Sequence, residues 1–291
     1  MLGNRSDGKE LKNIPSVFRL IPVVMKERND AEVYFKQDIE IEEMDKYLAE
    51  KLKEGINLSH MDILFTAIVR TISQRPHLNR FAIHGKIYAR NDITISLTIK
   101  KKLNDEGTES TLKLKFNGNE TIFDIHNILQ KAISENKKED EINSGADKLT
   151  EVLNHIPTGF LRFIIGLIRF LDNRGILPKF IIELSPFHTS AFVTNVGSIG
   201  IDSIYHHIYN IGTTSMFFAM GKKKKSYIYD DDNANGENEI KEEKCINIAF
   251  VGDERICDGY YYANSFKKMC RYLKHPEVLE KTVERQFDNE L

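Results

Sequence analysis

The chain has 291 residues, 41% hydrophobic and 29% charged, with a formal net charge of −2. That balance is one of a soluble globular chain long enough to bury a core, and its interspersed charges exclude a broad nucleic-acid-binding face. Three cysteines, Cys245, Cys257 and Cys270, each set in apolar sequence, exclude a disulfide framework and point to a reducing cytoplasm.

Residues 1–14 are polar and are expected to form a loose tail, with 15–291 a single domain. Val17, Leu20, Ile21, Val24 and Met25 repeat at helical spacing. Glu32 to Ile41 alternates as a strand, and Glu42 to Glu54 reads as a helix stopped by Gly55. Ser59 is placed to cap the next helix, which carries Ile63, Leu64, Ala67, Ile68 and Ile72 and ends at Pro76. Strands are expected at Phe81 to Tyr88, Ile93 to Ile99 and Ser110 to Phe116, with Gly107 and Asn117-Gly118 marking turns. A helix follows from Thr121 to Asn136, then a charged loop from Lys137 to Lys148.

From Leu149, Val152 and Leu153 an apolar run continues through Phe160, Phe163, Ile164, Leu167 and Leu171, resuming at Phe180 to Leu184. A helix this apolar is buried, meets another subunit or lies on a membrane surface. The block Phe160 to Leu171 is about half the length of a membrane span and carries Arg162 and Arg169, so no transmembrane helix is expected. Ser190 to Asn195 and Thr214 to Met220 read as strands on either side of the turn Gly197-Ser-Ile-Gly200 and the pair His206-His207. The run Lys222 to Lys225, followed by Asp230-Asp231-Asp232, suits a solvated hairpin. The histidines have no third ligand at a recognisable spacing, so no metal site is expected.

The last strand, Cys245 to Val251, delivers Gly252-Asp253-Glu254-Arg255-Ile256-Cys257-Asp258-Gly259 onto a turn. A helix with Tyr260, Ala263, Phe266, Met269 and Leu273 at helical spacing follows at once. Charged groups on a turn between strand and helix are well placed to present chemistry. Cys257 is read as a small buried hydrophobe there.

This turn and helix resemble the HHxxxDG motif of chloramphenicol acetyltransferase and of the dihydrolipoyl acyltransferase catalytic domain of 2-oxo acid dehydrogenases. FVTNVGSIGID (Phe192 to Asp202) is similar to a strand-turn of the same enzymes, and MDILFTAIVRTISQRPHLNRF (Met61 to Phe81) to their helix ending in a proline turn. The resemblance spans Pro15 to Leu279. It implies an α/β (α+β) fold, a two-layer sandwich with a mixed sheet, assembled as a homotrimer with active sites between subunits. It also implies coenzyme A or acyl-CoA as substrate and a small-molecule acyl acceptor, without a metal.

Carried over, Asp258 and Gly259 match the motif's Asp-Gly, with Asp258 as structural anchor and Arg19 as its candidate partner. Thr194 takes the place of the hydroxyl that steadies the oxyanion, beside Asn195 and Gly197, and Ser185 is a second hydroxyl candidate with His188 close by. The motif His is replaced: four residues before Asp258 stands Glu254. Glu254 is either an altered general base or part of a turn that no longer catalyses, in a trimer kept for binding or assembly. His206, His207 or His188 taking over as the imidazole is the third alternative, although Tyr205 and Tyr209 suggest packing for that pair. No lipoyl attachment domain is expected ahead of the fold in this chain.

Overall fold

The computed structural model describes residues 5–100, 109–137, 156–230 and 239–288. In chain order the elements are β1 (Gly8–Glu10), α1 (Ser16–Val24), β2 (Glu32–Glu40), α2 (Glu42–Lys53), α3 (His60–Gln74), β3 (Arg80–Ile83), β4 (Lys86–Arg90), β5 (Ile93–Lys100) and β6 (Glu109–Phe116). They continue with α4 (Ile122–Lys137), α5 (Thr158–Asn173), α6 (Lys179–Leu184), β7 (Ala191–Asn195), β8 (Met216–Asp230), β9 (Glu239–Asp253) and α7 (Gly259–Lys274). The expectations for Gly107, for 138–155 with Leu149, Val152 and Leu153, and for Asp231 and Asp232 lie outside the described residues.

A six-stranded sheet runs in the order β2-β9-β8-β7-β5-β6. It is mixed, because β7 lies parallel to both β5 and β8 while the other pairs are antiparallel. Alternation fixes its inner face: Ile93, Ile95 and Leu97 of β5, Val193 of β7, Met216 and Phe218 of β8, and Ile248 and Phe250 of β9 are all buried. They form one core with Ile63, Phe65, Ile68 and Ile72 of α3, Ile125 of α4 and Met269 and Leu273 of α7. The other face holds a smaller cluster of Phe192, Phe217 and Val251 under Ile208. The architecture is thus the two-layer mixed sandwich that the motifs imply.

Local signals explain the boundaries. Ser59 and Asp62 form a reciprocal capping box, satisfying donors at both ends of the first turn of α3. Gly197 and Gly221 pack backbone to backbone: a Cβ on Gly197 would stand 2.4 Å from the Gly221 carbonyl oxygen. That contact seats the turn after β7 on β8.

Two expectations are corrected. Phe81 to Tyr88 is a hairpin rather than one strand, turning at His84 and Gly85, whose φ values are +49° and +73°. Two positive φ values mark the turn type whose twist matches a hairpin. Residues 8–10 of the expected loose tail form β1, paired to β4, and Leu11 and Ile14 are buried. Arg5 holds this segment down, donating to Asp7 Oδ1 at 2.8 Å and to Asp172 Oδ1 at 2.6 Å.

The lysine run lies on β8 and finds its counter-ions elsewhere in the fold: Lys223 meets Asp45, Lys224 meets Asp38 and Lys225 meets Glu242. It is a neutralised hairpin arm. No helix among the described residues is long and apolar enough to cross a membrane.

Candidate functional site

The turn between β9 and α7 is held from several sides. Asp253 is fully buried and its backbone N–H donates to the Ser215 carbonyl at 2.9 Å. Its carboxylate accepts from Arg255 Nε at 2.8 Å and Nη2 at 2.7 Å, and Arg28 Nε lies 3.5 Å away. Both guanidiniums are buried, and they brace the turn against the chain: Arg255 donates to the carbonyls of Met25 and Lys26, Arg28 to those of Tyr209, Ala82 and Gly212. Burial pulls the Arg28 guanidinium down to about 10, with Asp253 opposing that shift. It stays charged at neutral pH. Tyr262 donates its hydroxyl to the Asp253 carbonyl at 2.9 Å, and the Glu254 N–H donates to Ala31 at 2.8 Å.

Glu254 itself points out of this clamp. It is exposed, and its carboxylate has no hydrogen-bond or ion-pair partner among the described residues. It borders a cleft of about 760 Å³ between β2 and α7, floored by Val33, Phe35, Tyr262 and Phe266. Phe35 packs edge-on against Phe266 with ring centroids 4.0 Å apart. Lys267, Arg271 and Lys274 also line the cleft. Their spacing puts them on one face of α7, and all three are exposed without an ion-pair partner among the described residues. From Gly259 to Lys274 the helix rises about 22 Å, so the carboxylate and the last cation stand at opposite ends of an apolar slot.

The other sequence candidates are placed as follows. Asp258 is exposed and caps α7, accepting from the Tyr261 N–H at 2.7 Å. Arg19 is exposed on α1 and has no ion pair with Asp258 among the described residues; the buried carboxylate–arginine lock is built on Asp253 instead. Gly259 opens α7, with nothing within 4 Å of where a Cβ would sit. Cys257 is buried, and burial pushes its thiol far above the ordinary range. That is a structural cysteine.

Thr194 is half-buried on β7 and pairs across the sheet with Ala219, which pairs with Ala249. Glu254 is five residues beyond Ala249, about 17 Å along the strand. One protomer therefore does not bring this hydroxyl to Glu254. Asn195 accepts from the Ser198 N–H and caps the short helical turn after β7. His206 stacks flat on Phe217, centroids 4.1 Å apart, and is part of the outer-face packing.

Ser185 and His188 do come together. His188 Nδ1 lies 2.8 Å from Ser185 Oγ, and its Nε2 lies 3.2 Å from Asp172 Oδ2. Sequence reading missed Asp172, whose partners His188 and Arg5 stand 16 and 167 residues away, and the Arg28–Asp253–Arg255 lock, whose Arg255 is local but whose Arg28 comes from the other end of the chain. Asp172 also borders a second cavity, of about 400 Å³, with Lys26, Arg28, Arg169 and Arg255. Among the described residues no group of three or more His, Cys, Asp or Glu side chains could hold a metal ion.

No protein-family model matches the chain, and neither does any curated protein sequence. Solved structures do. A probable dihydrolipoamide acetyltransferase from Listeria monocytogenes 4b F2365 superposes with a TM-score of 0.55 at 15% identity, over 91% of this chain and 94% of that one. Dihydrolipoamide acetyltransferase (E2p) of Azotobacter vinelandii gives 0.53 at 11% identity, over 93% and 94%. A truncated catalytic core of the 2-oxoacid dehydrogenase multienzyme complex from Thermoplasma acidophilum gives 0.53 at 12% identity, over 92% and 99%. The chain has the fold of the dihydrolipoamide acetyltransferase catalytic core.

Proposed function

We propose that the chain is a coenzyme A-dependent acyltransferase in which Glu254 serves as the general base. The observation that carries this is the pairing of an exposed carboxylate on a rigid turn with an apolar slot edged by three cations, none of the four paired among the described residues. Such a slot suits a ligand with a phosphate-bearing end and a reactive acyl arm, which is the chemistry of acyl-CoA. Glu254 would take the proton of the acceptor thiol, hydroxyl or amine as that atom attacks the thioester carbonyl. Collapse of the tetrahedral intermediate then expels the coenzyme A thiolate, which recovers the proton.

A carboxylate near 4.3 faces a thiol near 8.5, a gap of about four units, so a carboxylate in open water is a weak base for this step. A neighbouring subunit laid over it would strip water from the carboxylate and narrow that gap. The homotrimer implied by the sequence motifs supplies such a neighbour, and the relatives in fold are cores of multienzyme complexes. The separation of Thr194 from Glu254 within one protomer agrees with a hydroxyl contributed across the interface to the oxyanion. We place the protein in the cytoplasm, as one catalytic domain without a metal; its three cysteines are unpaired.

Calorimetric titration with coenzyme A tests the slot. Wild type should bind, and Lys267→Glu, Arg271→Glu and Lys274→Glu combined should weaken binding by about tenfold or more, since even one charge-assisted contact contributes roughly 1.5 kcal/mol. Equal affinity in the two proteins would remove the slot from the account.

A second reading, a non-catalytic trimer retained for binding or assembly, rests on a different observation. Val17, Leu20 and Val24 of α1 and Phe160, Phe163, Leu167 and Phe170 of α5 are all exposed, and exposed apolar helix faces mark interaction surfaces. Phe163→Asp with Leu167→Asp should leave the protomer folded and lower the sedimentation coefficient to that of a monomer. Unchanged sedimentation would exclude α5 as the interface. Coenzyme A binding without any turnover would favour this reading over the first.

A further inference from the structure

We propose that Ser185, His188 and Asp172 form a nucleophilic relay that accepts the acyl group of a carboxylic ester or thioester, independently of Glu254. The serine and histidine come from the segment between α6 and β7, and the aspartate from the end of α5. His188 and Asp172 are each 3% exposed, whereas Ser185 is half-buried between exposed Leu184 and half-buried Pro186. The relay thus pairs a sheltered base with a half-buried serine.

The hydrogen-bond pattern fixes the direction of the relay. Asp172 Oδ1 accepts from Arg5 Nη2 at 2.6 Å, and Arg5 Nη1 donates to the Asp172 carbonyl at 2.6 Å. Burial alone would raise the Asp172 carboxyl, but the hydrogen bond from His188 and the Arg5 charge outweigh it and hold it below its ordinary value. An ionised carboxylate only accepts, so His188 Nε2 carries a proton, and in the neutral imidazole the Nδ1 lone pair faces Ser185 Oγ at 2.8 Å. Ser185 Oγ meanwhile accepts from the Phe187 N–H at 3.3 Å. Its own hydrogen is therefore directed at Nδ1. The ring is turned round relative to serine proteases, where Nε2 meets the serine, but the roles of base and orienter are the same.

The serine backbone is pinned as well. Lys113 Nζ donates to the carbonyls of Ile182 at 2.6 Å and Ser185 at 3.1 Å. Burial, with Arg90 adding to it, pulls this ammonium down to about 7. Phe180, Leu184, Pro186 and Phe187 surround the serine in sequence, an apolar setting that suits the acyl chain of the substrate.

In the reaction, Ser185 Oγ bonds to the acyl carbon while its proton passes to His188 Nδ1. The carbon–oxygen or carbon–sulfur bond then breaks, and the leaving alkoxide or thiolate takes that proton. Water, deprotonated in turn by His188, releases the carboxylic acid and restores the serine. Nothing beyond ester and water is consumed.

The test is labelling of the full chain with an alkyl fluorophosphonate, located by peptide mass, and hydrolysis of p-nitrophenyl butyrate. Wild type and Glu254→Gln should both carry one adduct on Ser185, Ser185→Ala none, and His188→Gln should label about 100-fold more slowly. Ser185→Cys keeps both partners and should be alkylated by iodoacetamide at that position, at neutral pH, at least about tenfold faster than at Cys270, because a neighbouring base raises the thiolate fraction. A folded wild type without an adduct on Ser185, or His188→Gln labelling at the wild-type rate, would overturn the relay. So would alkylation of Ser185→Cys at the substituted position no faster than at Cys270. Because Glu254→Gln is included, loss of the acyl-CoA reading and loss of this one are read separately.

Discussion

Asp253→Asn is expected to lower stability more than any other single change at the turn, by about 3–5 kcal/mol, the usual cost of breaking a buried ion pair from one side. Asparagine keeps the shape and one acceptor but removes the charge. Arg255 and Arg28, both buried, then stand without a counter-ion at 2.7 Å and 3.5 Å. Their bonds to backbone carbonyls remain, so the loss is one of charge compensation rather than of hydrogen bonding alone. In a thermal melt followed by circular dichroism the midpoint should fall by roughly 10 °C. Asp258→Asn is the matched control. Asp258 is exposed and acts as a cap, a role asparagine fills about as well, so its midpoint should hardly move. The reverse ranking would mean that Asp258 is the anchor, as the sequence motif implies, with its partner supplied in the assembly.

That contrast shows what was legible in the sequence and what was not. Local signals carried the fold. Ser59 announced α3 as its cap, and the strands expected at Ile93 to Ile99 and Cys245 to Val251 are β5 and the apolar half of β9. The turn carrying Glu254 was legible too, because strand, turn and helix are consecutive. What encloses the turn was not. Arg255 reaches Met25, 230 residues away, and Arg5 reaches Asp172, 167 residues away; spacing along the chain says nothing about such pairs. The apparent tail failed for the same reason. Its polar residues include Arg5, whose guanidinium holds Asp7 nearby and reaches Asp172 across the fold, so polarity there signals a buried ion network and not solvation. His84-Gly85 hid a hairpin because the usual asparagine or aspartate before the glycine is absent.

Charge on Glu254 is expected to decide activity. Glu254→Gln preserves size and leaves the clamp on Asp253 untouched, since only the Glu254 backbone N–H takes part in it. It removes the group that accepts the proton, and general-base catalysis of this kind contributes about 100-fold or more. Glu254→His should act the other way. An imidazole near 6.5 lies about two units closer to a thiol than a carboxylate does, so the variant should transfer acyl groups faster than wild type if the turn sits where a base belongs.

The decisive measurement is the initial rate of free coenzyme A thiol released from acetyl-CoA, across a panel of thiol and amine acceptors, for wild type, Glu254→Gln and Glu254→His with the assembly state checked by sedimentation. The acyltransferase reading predicts transfer by wild type, a rate about 100-fold lower for Glu254→Gln, and a higher one for Glu254→His. Equal rates for wild type and Glu254→Gln, or no transfer to any acceptor by an intact assembly, would contradict it.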